Sequence, residues 1–220
     1  MVNIAIDGPA GAGKSTVAKG VAKQLGFLYV DTGAMFRAMA LYFVRNGFDV
    51  EKQEVLETES KNIDVALRFE QGEQQVFLNG ENVGAYLRTE EVGNMASIIA
   101  TNQAIRTRLL EIQQNIAKEH HVVMDGRDIG TCVLPNAQVK IYLTASSKER
   151  ARRRYEELVQ KGEVCNIEHI EQDIIKRDEA DMNREIAPLR QAKDAVFIDC
   201  SDMTIEEVIK SIVEQYDQKR

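Results

Sequence analysis

Three cysteines, Cys132, Cys165 and Cys200, are scattered over 220 residues, and no two of them form a CxxC pair. They cannot all pair with one another, and they lack metal-ligand spacing. Both a disulfide framework and a zinc site are thereby excluded, and a reducing compartment is indicated. A basic excess is missing too: 28 Lys and Arg stand against 35 Asp and Glu, a net charge of -7. Tight nucleic-acid binding is therefore not expected, although a local basic cluster can still hold a small anion. No apolar run reaches the roughly 20 residues of a bilayer-spanning helix, so no membrane partner is expected. The first residues read as a strand, without a basic stretch or cleavage site, and the chain is expected in the cytoplasm. Repeats and low-complexity tracts are absent as well. Hydrophobic residues make up 44% and charged residues 29% of the chain, the composition of a globular protein with a substantial core.

Five short apolar segments read as strands: Asn3–Asp7, Phe27–Val30, Val122–Asp125, Val139–Leu143 and Val196–Asp199. Helical patterns separate them. Such alternation implies βαβ units and an α/β fold with a parallel sheet covered by helices on both faces. Lys14 to Leu25 reads as a helix ending at Gly26, and Ala34 to Asn46 as one ending at Gly47. Ile105, Leu109, Ile112 and Ile116 recur at helical spacing and should face the core. Ser146 to Glu149 and Thr204 to Glu207 read as capping boxes. After the second, Ile205, Val208, Ile209, Ile212 and Tyr216 make an apolar stripe.

Two stretches break the rhythm. Residues 63–87 alternate with period two around the polar turn Gln71-Gly72-Glu73-Gln74, which predicts an antiparallel hairpin insert with a third strand at Val83 to Leu87. Residues 148–192 are helical in pattern but highly charged, and are expected to stand out from the core.

The most specific motif is Gly8-Pro9-Ala10-Gly11-Ala12-Gly13-Lys14-Ser15, with Thr16 following. It satisfies GxxxxGK[ST] between a strand and a helix, the context that motif requires. Glycines let successive backbone N–H groups converge on one cavity, and the helix adds its positive dipole end. Lys14 is placed to reach the β- and γ-phosphates of a nucleotide, and Ser15 to offer a hydroxyl to Mg²⁺. A 220-residue chain has little room for the coupling domains of motor or transport ATPases, so a compact small-molecule kinase fits better.

Four further clusters carry chemistry. In Asp31 to Arg37, Thr32 either caps a helix or touches the second substrate, and Arg37 lies near the end where an anion would sit. Met124 to Thr131 follows a strand, where open α/β sheets bind ligands. There Arg127 can fork onto a phosphate and Asp128 can accept from an amino group. Asp125 either makes a turn or holds water around Mg²⁺. Lys148, Arg150, Arg152, Arg153 and Arg154 open one helix, most of them as a solvated basic face, one or two of them available to a transferring phosphate. Arg177, Asp181 and Arg184 share a helical face, either as an ion-pair ladder or as a lid surface.

Together, Ile6–Ser15, Asp31–Arg37, Met124–Thr131, Val139–Arg154 and Arg177–Leu189 resemble the bacterial cytidylate kinases, of the nucleoside monophosphate kinase family. The insert at 63–87 resembles theirs. That resemblance implies a P-loop NTPase fold with a five-stranded sheet of order 2-3-1-4-5, one kinase domain over 1–220, an acceptor-binding region at 34–100 and a lid at 148–192. It also implies a monomer that takes Mg²⁺ with ATP and phosphorylates CMP or dCMP. By the same resemblance Arg37 and Arg127 hold the monophosphate, and Thr32 matches a residue, often Ser, near the acceptor. Ser97, Arg106 and Asp128 read the cytosine edge. Arg177 and Asp181 lie near the pentose and its phosphate, and Arg184 on the phosphate side. Lys14, Arg127, Arg177 and Arg184 are then the expected catalytic groups. The rivals are another small kinase, of shikimate or UMP/CMP type, and a nucleotide-binding regulator without activity.

Overall fold

The computed structural model describes residues 1–70 and 73–219. Its elements, in chain order, are β1 (Asn3–Asp7), α1 (Lys14–Leu25), β2 (Leu28–Asp31), α2 (Thr32–Asn46), α3 (Gln53–Glu59), β3 (Val65–Glu70), β4 (Glu73–Leu78) and β5 (Glu81–Asn82). There follow α4 (Glu90–Ile99), α5 (Gln103–Glu119), β6 (Val122–Gly126), β7 (Val139–Thr144), α6 (Ser147–Gln160), α7 (Ile167–Asn183), β8 (Val196–Asp199) and α8 (Ile205–Asp217). Five strands form a sheet in the order β2-β6-β1-β7-β8, which is 2-3-1-4-5 when only they are counted. The other three form a separate sheet, β3-β4-β5. The chain divides into two compact units, one of Met1 and Leu28–His121, the other of Val2–Phe27 and Val122–Arg220.

In the second unit β1 runs parallel to β6 and β7, and β7 parallel to β8. Ile4, Ala5 and Ile6 are wholly buried in consecutive positions, as a strand covered on both faces requires. The register sets Ile6 against Asp125 and Asp7 against Gly126. The carboxyl ends of β1 and β6 are therefore level, and the loops leaving them start side by side. α1 buries Val17, Ala18, Val21 and Ala22 and ends at left-handed Gly26, as expected. α8 buries Val208, Ile212 and Val213 behind a complete Thr204–Glu207 capping box. Ile205 departs from the predicted stripe: it opens the helix and is exposed. Ser146 accepts from the Glu149 amide, but no reciprocal bond completes a box there; the Glu149 carboxylate is taken by Arg152 and Arg153.

In the first unit α2 buries Met35, Ala38, Met39 and Phe43, and α5 buries Ile105 and Leu109, while Ile112 and Ile116 are half-buried. Asp31, not Thr32, caps α2: its Oδ1 accepts from the Ala34 amide at 2.9 Å, and Thr32 is the first helical residue. The hairpin pairs Val65 with Leu78 through Glu70 with Glu73. Of its predicted turn, Gln71 and Gly72 lie outside the described residues. The third strand is Glu81–Asn82 rather than Val83 to Leu87, because Asn79-Gly80 turns the chain earlier and Gly84–Tyr86 then winds into a 3-10 turn.

Candidate active site

The segment between β1 and α1 is held open by glycine. At Gly8, with φ of 150°, a Cβ would come within 1.9 Å of the Leu143 carbonyl oxygen, so no side chain fits. Gly13 stands in the left-handed region, φ 83°, immediately before α1, and no side chain caps that helix. The first-turn amides of α1 are thus left for an anion, reinforced by the helix dipole. Lys14 is buried, and its Nζ donates to the Pro9 carbonyl at 2.7 Å, inside the loop. Burial first, and the Arg127 guanidinium second, press its ammonium down to about 7, against the pull of Asp125, Asp7 and Asp181. Ser15 Oγ donates to Asp125 Oδ2 at 3.0 Å. A hydroxyl and a strand-end carboxylate in contact are the oxygen ligands that suit Mg²⁺.

The loop after β6 carries the next charges. Arg127 Nε donates to Asp181 Oδ2 at 2.8 Å. Arg184 Nη2 reaches Asp128 Oδ1 at 3.4 Å, its Nη1 lies 3.7 Å from Asp181 Oδ1, and its Nε donates to the Ala187 carbonyl at 2.6 Å. Arg127, Asp181, Arg184 and Asp128 so form one alternating array drawn from two distant stretches of chain. The helical-face expectation is corrected in one respect: α7 ends at Asn183, and Arg184 is its extended C-terminal flank. Asp181 also pairs across to β6's loop, through Arg127. Arg177 lies one turn before Asp181 on α7 and is half-buried.

Asp7 was not expected in this role. Its two carboxylate oxygens accept from the Ile129 and Gly130 amides, each at 2.7 Å, and so hold the turn that follows Arg127 and Asp128. That turn, Ile129–Val133, is a π-helical one. Gly130 permits the approach, since a Cβ there would meet Lys140 at 3.2 Å and Asp7 at 3.3 Å. Burial pushes Asp7 up to about 6; the Gly130 and Ile129 amides oppose this, and Asp128 adds to it. An unfolded aspartate titrates near 3.9, so between about pH 4 and 6 the folded state binds more protons than the unfolded one. Asp7 therefore subtracts stability as pH rises through that window, and Asp7→Asn has no such proton to lose. In urea unfolding, the stability of the wild type relative to Asp7→Asn is expected to fall from about pH 4 to about pH 6. A relative stability that stays level or rises would contradict the burial argument.

The basic start of α6 separates into two kinds. Arg152 and Arg154 are exposed and pair with Glu149, Glu156 and Glu157 on the same helix, and Lys148 is exposed. Arg150 and Arg153 turn inward. Arg150 Nη1 donates to the Ala10 carbonyl of the phosphate loop at 2.9 Å and meets Asp178 Oδ2 at 2.7 Å, while its Nε donates to the Ala145 carbonyl at 2.9 Å. Arg153 Nη2 donates to the Cys200 carbonyl at 2.9 Å, and a Cβ on Gly13 would lie 3.9 Å from its Nη1. Sequence spacing offers no signal for the Arg150–Asp178 pair, whose partners sit on different helices.

The remaining predicted residues belong to the unit of Leu28–His121. Thr32 is buried at the start of α2. Arg37 folds back toward that start, its Nη1 3.4 Å from where a Cβ on Gly33 would be. Arg106 Nη1 donates to the Ala100 carbonyl at 3.2 Å, and its guanidinium lies 5.5 Å from the Phe36 ring centroid. Ser97 Oγ donates to the Gly93 carbonyl one turn earlier.

A parallel sheet of order 2-3-1-4-5 and a glycine-lined loop closed by Lys14 and Ser15 define a P-loop kinase of the small-molecule class. The cytidylate kinase family model matches residues 4–218, and the chain belongs to that family. A cytidylate kinase of Caldicellulosiruptor bescii is 46% identical over 98% of this chain and 95% of its own length. One of Bacillus subtilis is 47% identical over 99% and 97%. Among solved structures, an uncharacterized protein from Eubacterium ventriosum superposes with a TM-score of 0.56 at 12% identity, covering 99% of both chains; that likeness is one of fold.

Proposed function

We propose that the protein transfers the γ-phosphoryl group of ATP to CMP or dCMP, yielding ADP and CDP or dCDP. The observation that carries this is one unit holding Lys14, Ser15 and Asp125 beside the Arg127–Asp181–Arg184–Asp128 array, in a chain of the cytidylate kinase family. Gly8 to Thr16 would wrap the donor triphosphate, with Lys14 leaving the Pro9 carbonyl for the β- and γ-oxygens. Ser15 and Asp125 would hold Mg²⁺, Asp125 through water, and the ion would neutralise phosphate charge there.

The acceptor needs no general base, since its phosphate already presents a nucleophilic oxygen. That oxygen attacks the γ-phosphorus while the bond to the β-phosphate oxygen breaks, and ADP leaves with the electron pair. Positioning and charge neutralisation then supply the rate. Arg37 and Arg127 would hold the acceptor phosphate, with Arg177 and Arg184 on the phosphate side and Asp181 near the sugar. Thr32 would lie near the acceptor, and Ser97, Arg106 and Asp128 would read the cytosine edge. Residues 34–100 would serve as the acceptor region and 148–192 as a lid that excludes water, in one kinase domain acting as a cytoplasmic monomer. The three free thiols suit that compartment.

Coupled ADP release with a panel of monophosphates tests the reading. CMP and dCMP should outperform AMP and GMP, and a preference for a purine would overturn the base assignment. Arg106→Ala should raise KM for CMP far more than KM for ATP, whereas equal effects would remove Arg106 from base recognition.

A further inference from the structure

The small sheet β3-β4-β5 has no place in the chemistry above, yet it touches both ends of α2, the helix that starts at Thr32 and carries Arg37. At the N-terminal end the contact is made by one side chain. Gln74, on β4, accepts from the Asp31 amide at 2.9 Å through Oε1 and donates to the Asp31 carbonyl at 3.3 Å through Nε2. A primary amide is the side chain that can satisfy a backbone donor and acceptor together. The residue it grips is the cap of α2, whose own carboxylate holds the Ala34 amide. At the other end Arg45 makes a two-pronged pair with Glu81 of β5, at 2.6 and 3.0 Å, and lies 4.9 Å from the Tyr86 ring centroid. The Gln74 contact is partly buried, whereas the Arg45–Glu81 contact is exposed.

We propose that Gln74 is a positioning residue for the acceptor. It fixes the point where β2 turns into α2, and thereby the placing of Thr32 and Arg37, so that the β3-β4-β5 sheet acts as a brace for acceptor binding. The inference rests on the reading of Thr32 and Arg37 as acceptor ligands. The backbone at Asp31 sets the direction in which α2 departs, and a helix start that can tilt spreads its first-turn side chains over more orientations. An acceptor phosphate would then have to order them at its own expense, which weakens its binding and leaves the ATP side untouched.

The test uses the full chain with Gln74→Met, which keeps the bulk and removes both hydrogen bonds. KM for CMP should rise about fivefold to tenfold, the worth of roughly one net hydrogen bond, with kcat and KM for ATP within about twofold. Amide exchange at Asp31 should quicken in the same variant. Glu81→Gln, at the exposed end, should leave KM for CMP within about twofold of the wild type. An unchanged Asp31 exchange rate would overturn the brace. Faster exchange with unchanged KM for CMP would overturn its acceptor role, and a general loss of kcat would make Gln74 merely structural. If the wild type prefers another monophosphate, the base assignment fails instead, and the same KM comparison with that monophosphate decides Gln74.

Discussion

Lys14→Met is expected to lower kcat by about 10²–10³-fold, the usual cost of one preorganised donor to transferring charge, while the folded protein stays intact. Lys14 is the cation of the phosphate loop, buried and aimed inward, with its ammonium on the Pro9 carbonyl. Its burial works against the fold: a lysine pressed down to about 7 binds its proton less tightly when folded than when unfolded. Holding the ammonium in the loop therefore costs folding free energy rather than supplying it. Met fills the space without the charge. Its cost is the lost bond to Pro9, on the order of 1 kcal/mol, which the relieved desolvation offsets. Coupled ADP release and calorimetry on the same preparation check both halves. A kcat near that of the wild type would remove Lys14 from the transfer step. A large fall in melting temperature would show that its charge stabilises the fold after all.

Arg150→Ala should act in the opposite sense, on stability first. Arg150 and Asp178 form a buried ion pair at 2.7 Å, with side chains 7% and 11% exposed. Removing one partner strands the other: breaking such a pair costs about 3–5 kcal/mol. Asp178 has little to fall back on, since its Oδ1 already lacks a hydrogen-bond partner. For a chain of this size that corresponds to a loss of roughly 6–20 °C in melting temperature. The double variant Arg150→Met with Asp178→Leu should recover much of this loss, because a buried pair replaced by apolar groups is often neutral. It should not recover ATP binding, because the Ala10 carbonyl loses its donor in both cases. Recovery of stability and of KM for ATP together would mean that Arg150 does not support the phosphate loop.

These two residues mark what local pattern can and cannot reveal. Lys14 lies in a contiguous motif whose conformation is dictated by its own glycines, so its place followed from eight letters. Arg150 read as one of five similar cations on a helix. Only packing separated it, and Arg153, from the solvated Arg152 and Arg154. The same holds for Arg127, Asp128, Asp181 and Arg184. Their residue types were legible and their candidate roles were named, but the pairing of Arg127 with Asp181 joins β6's loop to α7 and has no sequence period. Thr32 shows a limit of local pattern. Asp and Thr are both good caps, the sequence left Thr32 as either cap or substrate contact, and the structure has Asp31 as the cap.

By itself the sequence determined the five strands of the parallel sheet, to within a residue or so at their ends, the helix stops at Gly26 and Gly47, the phosphate loop and the α/β class. Each of these depends on neighbours within a turn or two: periodicity, glycine dihedrals and caps. Only the tertiary structure decided that Asp7 clamps the Ile129–Gly130 turn, that Arg150 joins Asp178 to the loop and that Gln74 grips Asp31. Those contacts bind residues far apart in the chain. Their partners are selected by which strand ends lie level and which helices pack, and no local pattern encodes that.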